Sequence, residues 1–228
     1  MANVEFRTGV IKPVDVYKEA WEMIKDQYWL VFGITIVGML VGSAVPIVLI
    51  GPMMCGIYLV LFAKYAGRPI DFGQLFKGFD YFMPSLLLAV IITVPALFLI
   101  FAIYVPMFVM MMAGPRMDES EVVALIAGSI AAELIVAAIM VCIHTLLLFA
   151  FPLIVDKKLS AMASIKTSAR AVWANLGGVV GLFVVGFGVC ILGYLALCVG
   201  IYLVLPVVIA ANVVAYRKVF PADGGFGY

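Results

Sequence analysis

Apolar runs at 29–45, 46–66, 81–113, 120–151, 176–199 and 200–216 alternate with shorter, charge-bearing segments at 13–28, 67–80, 114–121 and 156–175. The runs are of the order of the ~20 residues that cross about 30 Å of hydrocarbon as a helix. They lack the period-two alternation of a barrel strand, and in lipid only helices or closed barrels satisfy every backbone group. The pattern therefore predicts six membrane-spanning helices. Gly51-Pro52 is the expected reversal between the first two. Pro84, Pro95 and Pro106, eleven residues apart, predict a bent or interrupted third helix. The acids Asp118, Glu119 and Glu121 mark the start of the fourth, where the helix dipole favours negative charge, and Pro152 marks its end.

The polar segments are themselves patterned. In 13–27, Tyr17, Trp21, Ile24 and Tyr28 recur at helical spacing opposite Asp15, Lys18, Glu22, Lys25 and Asp26. In 70–79, Phe72, Leu75, Phe76 and Phe79 are expected on one side of a short helix and Asp71, Gln74 and Lys77 off it. In 159–174, Leu159, Met162, Ala169, Val172 and Trp173 oppose Lys166 and Arg170. Each reads as an amphipathic helix lying in the membrane interface, with Trp21, Phe72, Phe76, Phe79 and Trp173 as its candidate lipid contacts.

Charge then sets the topology. With six spans, every lysine and arginine except Arg116 falls on one side, which the positive-inside rule makes cytoplasmic, both termini included. The expected protein is a multi-pass protein of the cell (inner) membrane. Its fold class is all-α integral membrane: three helical hairpins, each preceded by a cytoplasmic-side amphipathic helix. Residues 1–219 form a single domain and 220–228 a mobile tail.

A duplication is also visible. GIYLVL occurs at 56–61 and again at 200–205, and a gapless overlay of 29–66 on 173–210 gives 13 identities in 38 positions. This predicts a weak parallel internal repeat, with the middle pair of spans as the divergent unit. Gly38 with Gly42, and Gly177 with Gly181, form small-xxx-small pairs suited to close helix approach.

Composition adds little chemistry. The chain is 66% hydrophobic and 12% charged with a formal net charge of +1, which points to no nucleic-acid partner. Cys55, Cys142, Cys190 and Cys198 lie in apolar runs without CxxC spacing, so neither a metal site nor a disulfide framework is expected. The nucleophile, metalloprotease, phosphate-loop and dinucleotide motifs are absent, so no catalytic residue and no cofactor are expected. Two ionisable residues fall deep inside a span, Glu133 and His144. Eleven residues apart on one helix, they share a stripe about 16 Å long, a candidate polar seam with Ser129 and Thr145 nearby. Asn175 and Asn212 are expected to cap helices and bond between them.

Gly51-Pro52 with Gly56, the run Leu75-Phe76-Lys77-Gly78-Phe79, and Pro152 to Asp156 followed by Ser168, Ala169 and Asn175 resemble the DUF975 and YciC-like polytopic membrane proteins of bacteria. They also resemble the membrane domain of some glycerophosphodiester phosphodiesterases. The resemblance implies six helices with cytoplasmic interfacial helices and supplies no catalytic residue. Two functions follow as expectations: a non-catalytic module binding lipids or a membrane partner, another protein or a second copy, and alternatively a small transporter or channel using Glu133 and His144.

Overall fold

The computed structural model describes residues 4–113, 118–195 and 200–221; among these, all regular structure is helical. Six stretches are long and apolar enough to cross a membrane, so the protein is multi-pass. The chain divides into two units, Met1–Ala89 with Leu146–Tyr228, and Val90–Thr145.

In the first unit, Pro13 opens α1 (Pro13–Ile24) at a position where its missing N–H costs nothing. A 3-10 turn, Lys25–Gln27, leads into α2 (Tyr28–Ala44). The chain reverses at Val45 and returns as α3 (Pro46–Tyr65). The reversal is thus not at Gly51-Pro52, which lies inside α3. Gly51 serves contact instead, because a Cβ there would collide with the Ser85 carbonyl. Gly38 likewise admits Ile57 and Leu75, and Gly42 admits Ile50 and Met53, which seats α2 against α3.

Next come α4 (Gly73–Phe76) and a 3-10 turn, Lys77–Tyr81, which runs directly into α5 (Phe82–Ala113). The 73–81 segment lies back against α3 by backbone contact. A Cβ on Gly56 would overlap the Leu75 carbonyl, and one on Gly78 would overlap the Pro52 carbonyl.

The later part of this unit begins where the fourth span was expected to continue to residue 151. Instead α6 (Glu119–Leu146) ends and α7 (Ala150–Lys157) starts afresh, with Pro152 in its first turn. Pro152 lacks the N–H that would bond to the Leu148 carbonyl, and Asn212 Nδ2 takes that carbonyl at 3.1 Å. Ser168 of α8 (Ala161–Ala174) holds both sides of the break: its Oγ donates to the Leu146 carbonyl at 2.7 Å and accepts from Phe149 N at 3.1 Å.

Helices α9 (Leu176–Leu195) and α10 (Gly200–Val219) pack as a pair, with Gly193 close to the Gly200 carbonyl. Along α9, Ile11 meets Gly178, Pro13 meets Gly181 and the Tyr17 hydroxyl reaches Gly186, whereas Gly177 faces open space. Helix α1 therefore docks on protein through Val16, Ala20 and Ile24; of the predicted stripe Ile24 is buried and Tyr17 and Tyr28 are half-buried. Small side chains admit a helix neighbour, which leaves Trp21 exposed at the flank, 5.7 Å from the Tyr28 ring.

The GIYLVL copies occupy different places in their helices. Gly56 lies in the middle of α3, whereas Gly200 is the first described residue of α10, residues 196–199 lying outside the described residues. The two ends of the described chain are also held to the bundle. Arg7 N donates to the Val219 carbonyl at 2.8 Å, and Phe220, expected to begin the tail, is fully buried beside Phe6, Phe149 and Tyr216. Residues 222–228, Arg116 and Cys198 lie outside the described residues.

Helix α5 begins in the first unit, with Pro84 in its first turn, where a missing N–H is tolerated, and runs to Ala113 as one helix, so of the bend or interruption expected from its prolines the interruption does not occur. Helix α6 opens with a reciprocal cap. Asp118 Oδ1 accepts from Glu121 N at 2.9 Å, and Glu121 Oε2 accepts from Asp118 N at 3.2 Å.

Candidate functional site

One end of the first unit gathers the charges. Ion pairs there include Lys64 with Asp26 at 2.6 Å, Lys218 with Glu19 at 2.7 Å, and Arg217 with Asp156 at 2.8 Å. The Lys64 ammonium, hydrogen-bonded to the Asp26 carboxylate, holds that carboxyl below its usual value.

The Arg217–Asp156 pair is the buried one, with side chains 3% and 4% exposed. Asp156 Oδ2 also accepts from the Tyr216 hydroxyl at 2.8 Å, and the guanidinium lies over the Phe62 ring, 4.3 Å from its centroid. Arginine suits this place because its flat, weakly hydrated cation bonds one carboxylate oxygen while its face stacks on a ring.

Beside this pair opens a cleft of about 690 Å³. Leu59, Phe62 and Ala63 of α3 supply apolar lining, as does Val155 of α7. Arg68, Lys77 and Lys158 bring positive charge, and Gln74, Asp80 and Tyr81 are the other polar members with Asp156. The carboxylate of Asp156 is already engaged by Arg217 and Tyr216. Among the cations, Arg68, Lys77 and Lys158 are all exposed.

The winding of 73–81 explains how this lining arises. One α-helical turn, Gly73–Phe76, runs straight into the 3-10 turn Lys77–Tyr81, so residues three apart fall on nearly the same side. Gln74, Lys77 and Asp80 consequently share the cleft side. Leu75 and Gly78 share the side buried against α3, and Phe76 and Phe79 are exposed, Phe79 stacking on Phe82 at 6.5 Å. The expected apolar face of Phe72, Leu75, Phe76 and Phe79 is accordingly split, because a period of 3.6 does not describe these residues. Gln74 Nε2 donates to the Pro69 carbonyl at 3.1 Å, while its buried Oε1 accepts no hydrogen bond.

All five candidate lipid contacts, Trp21, Phe72, Phe76, Phe79 and Trp173, are exposed. In α8 the buried face is Ala161, Ser164, Ser168, Ala171 and Val172, so Val172 turns inward while Met162 and Trp173 face out. Glu133 and His144 are both exposed on α6 and are not brought together. His144 Nδ1 lies 2.8 Å from the Met140 carbonyl of its own helix, and Glu133 makes no hydrogen bond or ion pair among the described residues. Asn175 and Asn212 do act between elements. Asn175 Oδ1 accepts from Gly9 N at 2.8 Å, and Asn212 Nδ2 donates to the Tyr58 hydroxyl at 2.7 Å.

The cleft residues were not singled out by the sequence pattern. The one signal was the triplet spacing of Gln74, Lys77 and Asp80 next to two glycines. No group of histidine, cysteine and acidic side chains suited to a metal ion occurs among the described residues. No protein-family model matches the chain, and no curated protein or solved structure is significantly similar to it.

Proposed function

We propose that this protein is a non-catalytic membrane module that engages lipid at its charged end, on the cytoplasmic side. The observation that carries the reading is the sidedness of the short segments there. Each turns one face to the bundle, through Val16, Ala20 and Ile24, through Leu75, or through Ala171 and Val172, and leaves an aromatic residue outward. Aromatic rings at headgroup depth beside Lys and Arg are the chemistry of an interfacial anchor. The test replaces Phe72, Phe76 and Phe79 together by Ser and measures phospholipid retained per protein after purification in mild detergent. Retention is expected to fall with the fold intact; unchanged retention counts against the reading.

A small transporter or channel is the second reading, favoured by Glu133, an exposed carboxyl in the middle of an apolar helix. Glu133→Gln is then expected to change pH-dependent flux in liposomes, and unaltered flux removes its main residue.

A further inference from the structure

The short helices at the charged end differ in the charge they turn outward. Helix α1 exposes Asp15, Glu19 and Glu22 beside Lys18 and Lys25, with Glu22 paired to Lys25 and Glu19 to Lys218. It presents no positive excess. Helix α8 is the opposite case, because no acid occurs anywhere between Asp156 and Asp223. Of the cations in that stretch, Arg217 is held by Asp156 and Lys218 by Glu19, and Lys157 and Lys158 also have partners. Lys166 and Arg170 are exposed and make no ion pair or side-chain hydrogen bond among the described residues.

Helical spacing sets these two cations in one row with two apolar side chains. Met162, Lys166, Arg170 and Trp173 follow at four, four and three residues, so they stand one above another on the outward face. The helix is fixed in that orientation at both ends and in the middle. Ser160 caps its first turn by accepting from Ala163 N, and Ser168 Oγ is tied to Leu146 and Phe149. At its other end Asn175 Nδ2 donates to the Ala171 carbonyl at 2.9 Å and to the Arg7 carbonyl at 3.0 Å. Trp173 is 72% exposed only three residues before α9, a helix long and apolar enough to cross a membrane. An indole so close to a span belongs at head-group level. Lys166 and Arg170, one and two turns back along α8, carry their charge on long stems that reach the same layer.

We propose that the outward face of α8 is a contact for phospholipids of net negative head group, such as phosphatidylglycerol. Their phosphates gather against Lys166 and Arg170, while Met162 and Trp173 enter the boundary of the acyl region. A zwitterionic head group brings a cation beside its phosphate and meets the same row with no net attraction. Helix α1, with its acids, takes no part in the selection. This rests on the lipid-binding reading above and adds to it the class of lipid and the helix that selects it.

The experiment uses the full chain in bilayers of equal parts phosphatidylglycerol and phosphatidylcholine, with Trp21→Phe and Trp29→Phe so that Trp173 is the sole tryptophan. Its fluorescence is quenched by lipid brominated in the upper acyl chain, the bromine being carried by one lipid in the first sample and by the other in the second. The ratio of the two quenching efficiencies reads the lipid composition beside Trp173. It is expected to favour phosphatidylglycerol about fivefold, the effect of roughly one basic residue at an anionic surface. Lys166→Gln with Arg170→Gln is expected to bring the ratio near unity. Raising salt from about 0.1 M to about 1 M, which shortens the screening length from about 10 Å to about 3 Å, is expected to do the same without any substitution. A second chain with Trp29→Phe and Trp173→Phe, which leaves Trp21, is expected to show no preference. Equal quenching by both lipids at Trp173, a preference that survives the double glutamine variant, or the same preference at Trp21 overturns the anionic contact while leaving general lipid engagement standing. Trp173 quenched by neither lipid overturns lipid as the occupant of the α8 face and assigns that face to an acidic partner in water. Trp21 unquenched as well overturns the broader reading.

Discussion

At the scale of single residues, Asp156 and Arg217 hold each other in a place neither tolerates alone. Removing one partner of a buried pair leaves an uncompensated charge, so Asp156→Asn is expected to lower unfolding stability by about 3–5 kcal/mol in detergent, whereas Asp156→Leu with Arg217→Met costs far less. Urea or thermal unfolding of both variants measures the contrast. Glycines divide just as sharply. Gly56→Ala and Gly78→Ala place a methyl group onto backbone carbonyls that have no freedom to move aside, and both variants are expected to lose the 73–81 docking, seen as faster amide exchange there. Gly188→Ala, with open space around it, is expected to leave the same amides protected. None of this follows from sequence order. Asp156 precedes two lysines and reads as a solvated turn, because nothing local pairs it with a residue 61 positions away.

At the scale of elements, hydropathy located all six spans but not the break at 147–149. Every residue from Leu146 to Leu153 is apolar, so the break has no composition of its own; it is set by Pro152 and stabilised by Ser168 and Asn212 from other helices. Ser168→Ala is expected to leave the Leu146 carbonyl and Phe149 N–H without partners and to destabilise the protein by about 1–3 kcal/mol, measured by unfolding in detergent. The short segment after α3 departs from its pattern for a different reason: after one α turn the winding tightens to threefold over Lys77–Tyr81, and the phenylalanines lie away from Leu75. The start of α6, in contrast, was legible, since Asp118 and Glu121 at capping distance form the box they spell. The Glu121 N–H and then the Ser120 hydroxyl, both donating to it, hold the Asp118 carboxyl below its usual value. Its contribution is therefore full above the unfolded carboxyl value, about 3.9, and is lost as pH falls through the lower folded value. The protection factor of the Glu121 amide, its exchange rate referred to the intrinsic rate at each pH, is expected to fall under Asp118→Ala and to be unchanged between pH 7 and 5 in the wild type.

At the scale of the whole molecule, the distribution of cations still predicts that both ends of the chain face the cytoplasm. In a background without native cysteines, Lys12→Cys and Lys218→Cys are expected to escape a membrane-impermeant maleimide in intact cells, and Ser43→Cys, near the Val45 reversal, to react. The opposite pattern reverses the topology. The gapless overlay of the two GIYLVL copies sets the turn at Val45 against residue 189, inside α9, so the two hairpins are not cut to the same frame.

The clasp between the early and late parts of the chain has a consequence for biogenesis. Arg7 and Gly9 bond to Val219 and Asn175, and α1 rests on α9 and α10, so its partners are made long after it, Asn175 lying 166 residues beyond Gly9. Until α10 leaves the ribosome, Val16, Ala20 and Ile24 have no protein surface to cover them. The first helix must wait until α9 and α10 have been made, and contacts of such sequence separation form slowly. A chain released before residue 219 carries that face uncovered, which marks truncated product for quality control at its beginning as well as at its end.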